Sequence, residues 1–278
     1  MRSKIISAYS GAESATFERL VNEGIDKLNK NETHDGISAL ERSAAFDPTN
    51  APLNALLGAH FFESGGSALA RTYLERAILA NPKSKGLRLL LGLACADGGE
   101  IVRAKSLLKS FIKYAGESFA ARYGLGRLLM AEGKSAEALK EFKRALSARS
   151  MPEADYAVGC LHYQLGRYRI AAYHLRQAVE SDARYFEARY ALGLALLRLS
   201  ANEEARLELI AACETDKQLP CVAGANHALR TGKPPLNPKF WGTGRSAKKG
   251  LITGGDRRLA EAVRQDALNT VKTLSFPN

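Results

Sequence analysis

An all-α chain, folded as an α-solenoid of stacked antiparallel helical hairpins with a C-terminal helical tail, is the fold class predicted by three features of the sequence. Glycine recurs at Gly24, Gly58, Gly92, Gly126, Gly159 and Gly193, at separations of 34, 34, 34, 33 and 34. A second ladder, of small residues, keeps the same period at Gly36, Ala70, Ala104, Ala138, Ala171 and Ala205, and a third, of large apolar ones, at Leu40, Leu74, Leu108, Phe142, Leu175 and Leu209. Between these ladders leucine and alanine recur at three- and four-residue intervals, and no strand-type alternation stands out. Each short helix therefore has one apolar face that it cannot bury alone, and neighbours of the same design supply the cover. The small residues belong where two helix backbones approach closely, because a larger side chain would overfill the crossing.

Residues 1–16 read as a lead-in, and the repeated region runs over 17–219, with copies at 17–50, 51–84, 85–118, 119–151, 152–185 and 186–219. The first copy carries Lys27, Asn29, Lys30 and Asn31 where later copies are apolar, which suits an end cap facing water. The second and third turn at Gly65-Gly66 and Gly98-Gly99, pairs suited to tight helix–helix turns. The fourth is the cleanest: Leu125, Gly126, Leu129 and Met130 mark its first helix, and Ala138, Phe142 and Ala145 its second. Within the third, Phe111 stands where the others have Ser43, Ala77, Ala145, Ala178 or Ala212, so that junction is expected to be wider or tilted. The fifth opens on Pro152, tolerated at a first helical position because its missing N–H has no partner there to lose. After Pro220, Cys221–Arg230 reads as a short further helix over the exposed end, within a basic Gly/Pro-rich linker at 220–255. Asp256 is a candidate N-cap for an amphipathic helix, Arg257–Leu274, in the last segment, 256–278; its stripe is Leu259, Val263, Ala267, Val271 and Leu274.

The pattern resembles the tetratricopeptide repeat family, whose 34-residue helix–turn–helix unit pairs a large residue with glycine in the first helix and places small residues in the second. Leu57-Gly58 with Phe61, Ala70, Leu74, Ala77 and Pro82, and Leu125-Gly126 with Ala138, Phe142 and Ala145, are the closest matches. The resemblance spans about residues 17–217 and implies a right-handed superhelix of about six copies. Two departures are Glu23 before the first glycine and the absence of later counterparts to Pro48 and Pro82.

Charge separates the chain into two regions. The formal net charge is +11, and beyond Pro220 ten Lys or Arg face three acids, leaving +7 in the tail and +4 in residues 1–219. Arg245, Lys248, Lys249, Arg257 and Arg258 head this basic segment, which is either a solvated tail or a site for nucleic acid, an anionic surface or an acidic partner. Cys95, Cys160, Cys213 and Cys221 have no paired spacing and read as free thiols, so a reducing, cytoplasmic setting is expected. No stretch approaches a membrane span or a signal peptide.

Catalytic, metal and cofactor motifs are not found. The run GTGRSAKKG at 242–250 lacks the glycine before Lys248 and the hydroxyl residue after it that a phosphate loop needs. The five histidines, His34, His60, His162, His174 and His227, are scattered, with no ligand spacing among them or with the cysteines. No enzyme activity is expected.

The family resemblance instead implies a binding groove along the first helices. Carrying over its groove positions selects Val21, Ile25, Leu28, Ala55, Ala59, Phe62, Leu89 and Leu93, then Tyr123, Arg127, Met130, Tyr156, Cys160, Tyr163, Tyr190, Leu194, Leu197 and Arg198. The Lys and Asn used by family members that clamp acidic chaperone tails are replaced by Val21, Ile25, Ala55 and Ala59. Tyr123, Tyr156 and Tyr190 are either peptide anchors in the groove or packing between adjacent hairpins. The expected function is a non-enzymatic scaffold or adaptor that binds a peptide or helix in this apolar, Tyr-lined groove. The alternatives are nucleic-acid or anionic-surface binding through the tail, where Phe240-Trp241 allow base stacking, and a secretion-type chaperone with a protein client. The helix at 257–274 would fill the groove of its own or another molecule, cap the solenoid, or order only with a partner.

Overall fold

The computed structural model describes residues 12–30, 32–214, 220–236, 238 and 240, and these form thirteen helices with no strand among them. In chain order they are α1 (Ala12–Asn29), α2 (Thr33–Phe46), α3 (Ala51–Glu63), α4 (Ser67–Ala80), α5 (Lys85–Asp97), α6 (Ile101–Ala115), α7 (Phe119–Ala131), α8 (Ser135–Ala148), α9 (Pro152–Gln164), α10 (Tyr168–Ser181), α11 (Phe186–Arg198), α12 (Asn202–Ala212) and α13 (Pro220–Thr231). No described helix is long and apolar enough to cross a membrane. The basic run at 245–258 and the segment 257–274, expected as a helix, lie outside the described residues.

The starts and stops follow from local chemistry. Asn50 Oδ1 accepts the Leu53 amide at 3.1 Å, and the hydroxyls of Ser84 and Ser118 accept those of Leu87 and Ala121 at 3.4 Å, satisfying donors that the first turns of α3, α5 and α7 leave open. α9 starts on Pro152. The hairpin turns use left-handed backbone at one register: Gly65, Gly99, Gly133 and Gly166 have φ of 81°, 81°, 75° and 71°. The sixth hairpin places Ser200 there, at φ 62°, a conformation costly for any residue with a Cβ.

Packing divides the chain into two units at Gly116/Glu117. In the first, α1 pairs with α2, α3 with α4 and α5 with α6, while α2 meets α3, α4 meets α5 and α3 meets α5. Its core at one end joins Phe17, Val21, Ile37, Leu40, Leu53, Leu57 and Tyr73. In the second, the hairpins are α7/α8, α9/α10 and α11/α12; α8 meets α9, α10 meets α11, α9 meets α11, and α13 packs on α11 and α12.

The glycine ladder sits at the helix–helix crossing inside each hairpin. A Cβ added at Gly24, Gly58, Gly126, Gly159 or Gly193 would lie 2.6–2.8 Å from the large residue of its second helix, Leu40, Leu74, Phe142, Leu175 or Leu209. At Gly92 the nearest atom, in Leu108, is 3.0 Å away. A further ladder ties first helix to second by charge: Arg122 to Glu141 at 2.7 Å and Arg189 to Glu208 at 2.7 Å. In the fifth copy the acid stands on the first helix instead, with Asp155 Oδ1 hydrogen-bonded to His174 Nδ1 at 2.8 Å. Arg122 also donates to both carboxylate oxygens of Glu117 at 2.6 Å, and these hydrogen bonds hold the Glu117 carboxyl below its usual range.

Candidate functional site

The positions assigned to the groove divide sharply by burial. In the first unit Val21 belongs to the core with Phe17 and Leu57, Ile25 and Leu28 pack against that core, and Phe62, Leu89 and Leu93 are buried. In the second unit Leu194 and Cys160 are also buried, Met130 and Leu197 are half-buried, and Arg198 is exposed. The basic tail residues Arg245, Lys248, Lys249, Arg257 and Arg258 lie outside the described residues.

The three tyrosines one copy apart are enclosed rather than open: Tyr123, Tyr156 and Tyr190 are 0%, 1% and 2% exposed. Each has a different cover. Tyr123 lies between Phe119 and Phe142, with ring centroids at 5.5 and 5.1 Å, and its hydroxyl receives a long bond, 3.4 Å, from Arg127 Nη1. Tyr156 tilts against Tyr185 at 5.1 Å. Tyr190 is roofed by α13, which comes close because residue 224 is glycine; a Cβ there would overlap the Tyr190 hydroxyl. Burial pushes the Tyr190 phenol well above its ordinary value.

Tyr156, Tyr163 and Tyr190 share one more neighbour, Phe240. Its ring meets Tyr163 edge-on, centroids 5.0 Å apart at 77°, and lies 6.3 Å from Tyr190. The Tyr156 hydroxyl donates a hydrogen bond to the Phe240 main-chain carbonyl. Tyr163 is itself braced by Tyr168 at 5.2 Å, while Arg198 Nε reaches its hydroxyl at 3.5 Å and the Arg198 guanidinium stands 5.7 Å over the Tyr168 ring. The result is an aromatic pocket on α9 and α11, with a donor for a peptide carbonyl and one exposed guanidinium beside it.

Phe240 is 6% exposed, yet the chain leading to it is irregular: residues 232–236 form no helix, and Leu236 is 96% exposed. Of the described side chains after Thr231, Phe240 alone is buried. The groove positions carried over by repeat alignment include Tyr156, Tyr163 and Tyr190 but leave out Phe240, which stands out in the sequence only as half of an aromatic pair. Its proximity in space to α9 has no periodic signal.

Burial lifts the Cys221 thiol to about 12, so it stays protonated near neutral pH. His162 is buried on α9, stacked 6.1 Å from His174, and neither of its ring nitrogens meets a hydrogen-bond partner among the described residues. Its pKa falls to about 4, first because burial penalises the cation and then because Lys143, His174 and Arg167 repel it. Among the described residues no His, Cys, Asp and Glu side chains cluster as metal ligands.

Comparison with known proteins agrees with this architecture. A family model described as tetratricopeptide repeat matches residues 55–104, 101–154 and 156–220. No curated protein matches the chain. Among solved structures, the chain is similar to PilF of Pseudomonas aeruginosa, with a TM-score of 0.60 and 14% identity over 73% of this chain and 93% of that one. It is also similar to YrrB, described as having an unusual peptide-binding site, with a TM-score of 0.52 and 17% identity over 69% of this chain and 98% of that one. MamA gives a TM-score of 0.51 and 20% identity over 68% of this chain and 98% of that one. Identities this low show a shared fold.

Proposed function

The chain belongs to the tetratricopeptide repeat family, and on that premise we propose that it is a non-enzymatic interaction scaffold that holds a protein segment against the first helices of its C-terminal hairpins. One observation carries this reading. The face formed by α9 and α11 receives a non-helical stretch of polypeptide through an aromatic side chain and a main-chain carbonyl, at Phe240. A surface that seats its own irregular chain in this way has the shape and the donor needed to seat another. YrrB, similar in fold, is described as a peptide binder, which fits the same use of the hairpins.

The functional set under this proposal is Tyr156, Tyr163, Tyr190 and Arg198, with the half-buried Met130 continuing the surface on α7. Selection of peptides from a random displayed library on the full-length chain tests it, with hydrogen exchange reporting where the selected peptides bind. Slowed exchange in α9 and α11 on peptide addition is the expected result. Protection confined to the second helices, α8, α10 and α12, would refute the assignment of the first-helix face.

A further inference from the structure

The pocket on α9 and α11 has an occupant, and the contacts that hold it define a ligand chemistry. Phe240 contributes a phenyl ring and a backbone carbonyl, and both are generic. The ring is met by the edges and faces of Tyr163 and Tyr190, the geometry in which aromatic pairs gain beyond simple burial. The carbonyl is met by the Tyr156 hydroxyl, a donor that ignores side-chain identity. The described residues between Thr231 and Phe240 are exposed or half-buried and form no helix. A stretch belonging to the solenoid core would be held by a row of buried side chains, as every repeat helix is. Among its described residues this one has a single buried side chain, Phe240.

We infer that the Tyr156, Tyr163 and Tyr190 pocket is a recognition site for an extended protein segment anchored by a phenylalanine, and that Phe240 occupies it as a tethered competitor. The inference rests on the scaffold reading above and names the partner: a non-helical segment of another protein whose Phe side chain takes the place of Phe240 while its carbonyl accepts from Tyr156. Gly224 is part of the site, since only a residue without a Cβ lets α13 close over Tyr190 and wall the pocket on that side.

The tether sets the strength of the competition. A short flexible linker holds its end at an effective concentration on the order of 1 mM. If the resident and an external copy of it bind equally, with a dissociation constant of about 0.1 mM, the resident weakens external binding about tenfold, by the factor of one plus the ratio of those two concentrations. Removing the Phe240 ring releases that factor.

The test uses the full chain and, as probe, a fluorescein-labelled synthetic peptide of residues 234–243, read by fluorescence anisotropy. Phe240→Ala is expected to bind the probe about tenfold more tightly than wild type. A probe carrying alanine in place of its phenylalanine is expected to fail, and adding Tyr163→Ala to the Phe240→Ala chain is expected to abolish binding. If Phe240→Ala lowers the melting temperature substantially, Phe240→Leu, which keeps an apolar side chain in place, serves in its stead with a smaller gain. Equal affinity for wild type and variant, or binding of the alanine probe as strong as that of the phenylalanine probe, would overturn the inference. Light scattering of the wild type separates an internal resident from an exchanged one: a monomer is expected, and a dimer that Phe240→Ala dissolves would assign the pocket to a second copy of the chain instead. Library-selected peptides without aromatic residues that still protect α9 and α11 would leave the scaffold reading standing and remove the phenylalanine anchor.

Discussion

Replacing Gly159 and Gly92 by alanine, one at a time, should move stability in opposite directions although both occupy the same register of the repeat. Alanine in a helix interior is favoured over glycine by about 1 kcal/mol, and this gain is common to the two sites. The steric cost is not. At Gly159 the new Cβ would lie 2.6 Å from Leu175 Cγ and 3.2 Å from the Ala171 carbonyl oxygen. Leu175 is fully buried, so it would have to retreat by about 0.8 Å to reach an ordinary 3.4 Å contact, in a place with no slack, and the carbonyl belongs to the α10 backbone. Overpacking of this kind costs about 1–3 kcal/mol, which outweighs the propensity gain. At Gly92 the nearest atoms are all side-chain carbons, at 3.0, 3.2 and 3.3 Å, and shifts of a few tenths of an ångström relieve them.

The expected result is therefore a loss of about 1 kcal/mol for Gly159→Ala and a gain of roughly 0.5 kcal/mol for Gly92→Ala. For a chain of this size these correspond to melting temperatures about 2–4 °C below and 1–2 °C above wild type. Circular dichroism at 222 nm on heating measures the difference, and hydrogen exchange in α9/α10 and α5/α6 shows whether each change stays in its own hairpin, as nearest-neighbour coupling in a solenoid requires. A Gly159→Ala variant as stable as Gly92→Ala would refute the close-approach reasoning.

Acid should destabilise the protein through His162. Its pKa is near 4 in the folded chain against 6.5 for an ordinary histidine, so between these values the unfolded chain binds the extra proton and stability falls as pH drops, by up to about 3 kcal/mol. His162→Phe should flatten that limb, and urea midpoints at pH 7 and pH 4.5 compared between the two proteins check it. Ser200→Gly should raise stability by about 0.5 kcal/mol, because the left-handed conformation at φ 62° suits glycine, as at the matching turns; an unchanged or lower urea midpoint would contradict this. Gly224→Ala should loosen α13 and expose Tyr190, seen as faster exchange in α13 with little change in α7 and α8. Neutralising Lys248, Lys249, Arg257 and Arg258 should leave groove-peptide affinity unchanged while reducing any salt-dependent binding to nucleic acid, read by titration at two salt concentrations.

Much of the hairpin architecture was legible because each repeat states its packing locally. The spacing of Gly58, Ala70 and Leu74 within one copy is the spacing of atoms across one crossing, and five more copies repeat it. The turn ladder was only half visible: Gly65-Gly66 and Gly98-Gly99 advertise tight turns, whereas Ser200 gives no sign that it adopts the same left-handed backbone. The charge ladder was hidden for a different reason. Arg122 with Glu141 and Asp155 with His174 are the same contact with the acid on opposite helices, so no residue type marks it.

The sequence by itself determined the repeat register and the helix pairs, since these depend on contacts between residues fewer than about 35 apart, within one period of the pattern. Only the tertiary structure decided how enclosed the first-helix tyrosines are. Tyr156 and Tyr190 are buried by Phe240 and Gly224, residues from a different part of the chain with no periodic relation to them. Alignment of repeats assigns each side chain a direction, but exposure depends on what arrives from elsewhere. An irregular, proline-containing segment reaches the pocket by chain geometry that no helical period encodes.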